Sequence, residues 1–135
     1  MEEVMKSLEN LINKYKFNID VLSKLTGVKA EKLLSKSKED IFTDTKDFVR
    51  ICNIICMLDL IGEDSADFKV GAFLQVLIDY HNITAETIAL MSGVKESDVN
   101  NLLNNPDLVS PENKFNISKT VMSLRFFLKE LEDKI

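Results

Sequence analysis

Cys52 and Cys56 stand four residues apart in "ICNIICML", a spacing that lays both thiols along one face of a single helix. Two ligands on one helix do not hold a metal without donors from elsewhere, and the one histidine, His81, is far along the chain. The pair therefore reads as reduced thiols in an apolar helix, and no metal site, disulfide framework or cofactor is expected. His81 reads as the end of a helix. No hydroxyl or thiol sits in a pattern with a general base, no glycine loop is built to cradle phosphate, and no carboxylate pair suggests acid-base work. The expectation is a protein that is not an enzyme. Two polar groupings remain. One is the lysine-rich stretch from 14 to 38; the other is the asparagine cluster 100, 101, 104 and 105 in "NNLLNNPD", whose plainest role is to close a helix before Pro106.

Charge separates these two groupings. The whole chain carries a net charge of -5, which opposes coating nucleic acid by bulk positive charge. Residues 11 to 38, however, hold seven lysines (14, 16, 24, 29, 32, 36 and 38) against Asp20 and Glu31, a local balance of +5. Residues 77 to 104 hold Lys95 against Asp79, Glu86, Glu96 and Asp98, a balance of -3. With 45% of 135 residues hydrophobic, there is enough apolar material for a real core. No run approaches the roughly 18 uncharged apolar residues of a membrane span. The stretch "MEEVMKSLEN" is acidic where a secretory signal would be basic and then apolar, so a cytoplasmic protein with no membrane partner is expected.

The elements that must position these groups are helical. Val4, Met5, Leu8, Leu11 and Ile12 recur at steps of three and four, the spacing of an amphipathic helix, and strand-like alternation is nowhere sustained. A shift of 66 residues carries this face onto Val70, Leu74, Leu77 and Ile78. The register continues through Phe17 and Ile83, Leu22 and Ile88, Leu25 and Met91, Gly27 and Gly93, Val28 and Val94, and Leu33 and Val99. An internal repeat accounts for this best. The expected fold class is all-α, with two tandem four-helix units packed together, residues 1–64 and 65–135. The spacing predicts helices near 2–16, 18–25, 29–37 and 44–61, then 66–81, 84–91, 95–104 and 112–133. Ser65, Thr84 and Ser110 are the expected amino-terminal caps, with Pro111 in the first turn after the last of them. "FVRICNIICMLDLI" is apolar on nearly every side and is expected to be covered all round as a wall shared by both units. Leu124, Phe127, Leu128 and Leu131 form a stripe on the last helix, expected to complete a core or to support self-association. A homodimer through helix 48–61 or through this carboxy-terminal helix is the expected mode of assembly.

Between the short helices of each unit lies a repeated turn, "KLTGVKAEKLLSKS" at 24–37 and "LMSGVKESDVNNLL" at 90–103. Two short helices meeting steeply need a small residue at the crossing, a residue that tolerates positive φ, and an apolar anchor after it. Ala89, Gly93 and Val94 supply these in the second copy, with Ile88, Val99 and Leu102 as further buried contacts. Ser23, Gly27 and Val28 supply them in the first, with Leu22 and Leu33; Lys36 falls where Leu102 stands and departs from the pattern.

"ETIALMSGVKESDVNNLL" resembles the helix-turn-helix of the phage-repressor-like transcription regulators. The resemblance covers residues 84–104 well and 18–37 less closely. It implies tandem helix-turn-helix units, recognition helices near 29–37 and 95–104, and double-stranded DNA as the partner. By position, the outward residues of the second recognition helix are Lys95, Glu96, Ser97, Asn100, Asn101 and Asn104. An asparagine amide can pair with adenine through two hydrogen bonds. In the first unit the corresponding places are Lys29, Ala30, Glu31, Leu34, Ser35 and Lys38. The candidate DNA-binding set is accordingly Lys29, Lys32, Ser35, Lys36, Lys38, Lys95, Ser97, Asn100, Asn101 and Asn104. Lysine at 29 and 95, where many relatives place a serine or threonine cap, opposes the helix dipole unless a phosphate sits nearby. The competing expectation is a helical scaffold that has lost DNA and binds proteins, favoured by the acidic second unit.

Overall fold

A computed structural model describes residues 2–35, 37–42 and 47–134, with the side chains of Lys38 and Lys134 outside that description. Every regular element among the described residues is helical. No helix among them is long and apolar enough to cross a membrane. The chain divides into two compact units, Met1–Asp64 and Ser65–Ile135.

The first unit begins with α1 (Glu2–Glu9), which runs on into a π-helical turn, Asn10–Lys14. Then follow α2 (Ile19–Thr26), α3 (Ala30–Ser35), a single-turn helix α4 (Lys38–Ile41), and α5 (Phe48–Glu63). Local chemistry sets the seams. Lys16 has φ +53°, which ends the first helix in the left-handed region. Asn18 caps α2 by accepting from the amides of Asp20 and Val21 at 2.9 and 3.2 Å. Leu8, Leu11, Leu22, Leu33 and Ile55 are essentially without solvent contact and form the centre of the core, with Ile41 and Ile51.

The one-turn helix α4 was not legible in the periodicity. It forms because Ile41, at 3% exposure, is drawn into the core and its amide bonds back to the Ser37 carbonyl at 3.1 Å. The predicted helix over 44–61 begins outside the described residues; α5 runs two residues further than expected at its other end. The expectation that this helix would be covered all round does not hold. Ile51, Ile55 and Asp59 are buried, while Val49, Met57, Leu60 and Ile61 are 47–64% exposed. One apolar face suffices for this core, and the remaining apolar side chains meet solvent.

The second unit contains α6 (Ala66–Asp79), α7 (Ala85–Ser92), α8 (Glu96–Asn104), a 3-10 turn at Pro106–Leu108, and α9 (Pro111–Lys134). The expected caps are in place: Ser65 accepts from Phe68 N, Thr84 from Thr87 N, and Ser110 from Asn113 N, each at 3.1–3.2 Å. Leu74, Leu77, Ile88, Val99, Ile117 and Val121 are fully buried. Within α9, Leu124 and Leu128 pack on this core, whereas Phe127 and Leu131 are 57% and 44% exposed, so only half of the predicted stripe is interior.

Within each unit, corresponding residues have corresponding environments at a separation of 66. The buried pairs are Leu8 and Leu74, Leu11 and Leu77, Leu22 and Ile88, Leu33 and Val99, Ile51 and Ile117, and Ile55 and Val121. The backbone follows suit: Lys16 and Asn82 have φ +53° and +58°, and Gly27 and Gly93 have φ +78° and +73°.

Candidate nucleic-acid interface

The turn that links α7 to α8 starts at a residue no L side chain adopts easily. Gly93, in the left-handed region, points its amide at the carbonyls of Ala89 and Leu90, and Val94 N reaches the Ala89 carbonyl at 3.1 Å. Ala89, 3% exposed, is the small residue that lets the helices approach, and Val99 and Leu102 hold the inner face of α8. Behind the turn, Ser92 Oγ donates to Thr120 Oγ1 at 2.8 Å in a buried contact that anchors it to α9.

With Val99 and Leu102 inward, helical geometry sends the i, i+3, i+4, i+7 set of Ser97, Asn100, Asn101 and Asn104 outward. Ser97, Asn100 and Asn104 are exposed and Asn101 is half-buried. Among the described residues these four side chains make no hydrogen bond, so their donors and acceptors face solvent. Lys95 takes the cap position of α8 and gives no side-chain capping bond; it is exposed, with Glu96 next to it. Asp98, the other acid of the first turn, accepts from Asn113 Nδ2 at 3.0 Å and is thereby tied to α9.

The first turn is built differently. Gly27 caps α2 through its amide to the Ser23 carbonyl at 2.8 Å, and Thr26 Oγ1 donates to the Leu22 carbonyl at 2.7 Å while accepting from Val28 N at 3.2 Å. Arg50, absent from the residues singled out by sequence, braces this turn from α5. Its guanidinium donates to the Thr26 carbonyl at 2.8 Å and lies 3.6 Å from Asp47. A lone arginine in an apolar helix is a signal only once the turn it faces is known.

The outward face of α3 is not a copy of that of α8. Glu31 and Leu34 are exposed, and Ser35 Oγ donates to the Lys32 carbonyl at 2.6 Å, finishing its own helix. Lys29 is exposed; Lys32 is half-buried, and both line an open cleft with Asp40 and Asp47. Lys36 lies outside the described residues, as does the side chain of Lys38. Thus Lys95, Ser97, Asn100, Asn101 and Asn104 share one helix and its start, whereas of the first-unit candidates Lys29 and Lys32 flank the turn and Ser35 is engaged with its own helix.

A helix-turn-helix domain family matches residues 1–134 of the chain. The protein belongs to that helix-turn-helix family. No curated protein and no solved structure gives a significant match. Helix-turn-helix domains bind DNA by laying the second helix of the pair in the major groove; the second helices here are α3 and α8. The thiols lie on neither. Cys52 and Cys56 are both free and partly buried, and burial, with the neighbouring Cys56 adding to it, pushes the Cys52 thiol up. No group of three or more His, Cys, Asp or Glu suited to a metal is found among the described residues.

Proposed function

We propose that the protein is a DNA-binding transcription regulator of the phage-repressor-like kind, carrying two tandem helix-turn-helix units in one chain. The tandem reading is supported by the left-handed glycines 27 and 93 and the buried pairs 66 residues apart. The observation that carries DNA binding is the outward row Ser97, Asn100, Asn101 and Asn104 on α8, directly after a glycine-capped turn. Asparagine presents a donor and an acceptor side by side, which matches the N6 and N7 edge of adenine in the major groove. In this division of labour the second unit reads bases. The first, with Lys29 and Lys32 beside its turn and a balance of +5 over 11–38, holds phosphates.

The test is selection from a randomised duplex pool followed by anisotropy titration at about 50 mM salt, where phosphate contacts are strongest. Recovery of a consensus whose preference at one or two positions disappears in Asn100→Ala or Asn104→Ala supports the reading. No duplex binding at that salt ends it.

One observation favours a second reading, a scaffold that binds a protein. Leu34 is 53% exposed on the outward side of α3 beside Glu31, and neither an apolar nor an acidic side chain suits a phosphate-facing helix. Under that reading, changing Lys29, Lys32 and Lys36 to Glu leaves partner capture in cells intact. A DNA binder would be disabled by the same changes.

A further inference from the structure

Asp59, on α5, is 7% exposed, yet only one of its carboxylate oxygens has a partner. Oδ2 accepts from Asn10 Nδ2 at 3.4 Å, while Oδ1 is buried with no partner among the described residues. An acceptor of this kind left unpaired away from bulk water is costly, and a group that brings both N–H donors and positive charge would complete it. Asp59 lines an open groove of about 340 Å³ between α1, the π-turn and α5. That volume lies at the small end of ligand pockets, which run from roughly 300 Å³ upward.

The rest of the lining is made to accept hydrogen bonds. Glu3 and Glu63 are exposed carboxylates, and Ser7 and Asn10 add a hydroxyl and an amide oxygen. Leu60 and the partly buried Cys56 supply apolar wall. Lys6 is the one cation in the lining, and among the described residues neither it nor any of the three acids is in an ion pair. A single metal ion does not suit the place, because no group of three carboxylates or thiols among the described residues is arranged to hold one. Acids too spread for one ion, with apolar wall beside them, suit a molecule whose positive groups stand at two ends of a short hydrocarbon chain.

We propose that this groove binds a small linear diamine. One ammonium, with three N–H donors, donates to Asp59 Oδ1 and to the amide oxygen of Asn10, whose Nδ2 already points at the same carboxylate. The methylenes lie along Leu60 and Cys56, and the second ammonium is held at the exposed end by Glu3 and Glu63. Occupied in this way, the groove ties α1 to α5. It draws nothing from α2 or α3, so the site does not depend on the DNA reading.

Isothermal titration of the full chain with 1,4-diaminobutane at neutral pH tests this. Saturable binding of one molecule per chain is expected, with n-butylamine, which has a single ammonium, weaker by about tenfold. Asp59→Asn keeps the shape, removes a charge that has lost half its partners, and should stay folded by circular dichroism while weakening the diamine by about 30-fold or more. Glu63→Gln and Lys6→Gln, both at exposed positions, should act in opposite directions, the first weakening and the second strengthening binding by about threefold. These two carry the test if Asp59→Asn does not fold. The side-chain amide resonances of Asn10 should move during the titration. Absence of saturable binding up to millimolar diamine overturns the proposal, as does wild-type affinity in a folded Asp59→Asn. Equal affinity for n-butylamine, or displacement of the diamine by an equal concentration of magnesium, also overturns it by reducing the groove to an unspecific acidic surface.

Discussion

Ser92 Oγ donates to Thr120 Oγ1 at 2.8 Å, and Thr120 Oγ1 in turn donates to the Asn116 carbonyl at 3.3 Å, so the end of α7 is fastened to α9 by a relay of two hydroxyls. Both residues are buried, at 8% and 4% exposure. Thr26 holds the same place before the other glycine but solves the problem locally, bonding to Leu22 and Val28 of its own segment. Ser92→Ala should cost about 1–2 kcal/mol, the range for a buried hydrogen bond with one partner removed. Thr26→Val should cost a similar amount or more, because it leaves the buried Val28 amide unpaired. Urea unfolding of each variant checks both; no change in midpoint would mean that the hydroxyl contacts are not formed in solution.

The glycine turns make a sharper prediction. A Cβ at Gly93 would meet nothing within 4 Å, so Gly93→Ala is penalised by its positive φ alone, by about 1–2 kcal/mol. At Gly27 the nearest atom is Arg50 Nη2 at 3.5 Å, an ordinary contact, so Gly27→Ala should cost nearly the same. Thermal melts that fall for neither variant would show that these bends are not left-handed.

Affinity and sequence preference should separate by residue. Lys29→Ala should weaken duplex binding evenly across sequences and lower the salt slope by about 1. Asn100→Ala or Asn104→Ala should instead relax preference at one base position, by about 1–3 kcal/mol. Anisotropy titrations over a salt series, on consensus and mutated duplexes, would reveal the opposite assignment if lysine changes altered preference.

Arg50 should matter to the first turn more than its exposed position suggests. Its bond to the Thr26 carbonyl satisfies an acceptor at the end of α2, and Arg50→Met keeps the stem while removing the charged donor. A loss of about 1–2 kcal/mol is expected. Hydrogen exchange should show the change concentrated in α2 and α3; an even loss across the first unit would contradict the bracing role.

Cys52 should alkylate more slowly at neutral pH than a free cysteine, since burial raises its thiol and lowers the thiolate fraction. The sign for stability follows from the same shift. The folded state keeps the proton longer than the unfolded chain, so the contribution is complete below the ordinary thiol range and is given up as pH rises through the raised value. Cys52→Ser should remove that alkaline component, measurable as the difference in urea midpoint between neutral and alkaline pH.

Spacing alone determined the helical class, the caps at Ser65, Thr84 and Ser110, and the two glycine turns, because each rests on interactions within a few residues. Apolar residues that recur 66 positions apart, such as Leu8 and Leu74 or Leu33 and Val99, were also visible in the sequence, and all four are buried. Tertiary structure decided what periodicity could not. Ile41 enters the core of the first unit through an extra turn of helix that the periodicity did not show. Ser35, exposed on α3, bonds to the Lys32 carbonyl of its own helix, and Arg50 reaches across to a turn 24 residues before it. α5, apolar on nearly every side, is buried along one face only. These outcomes depend on which side chains from distant segments compete for the same interior volume and the same carbonyls, and that competition exists only once the helices are packed.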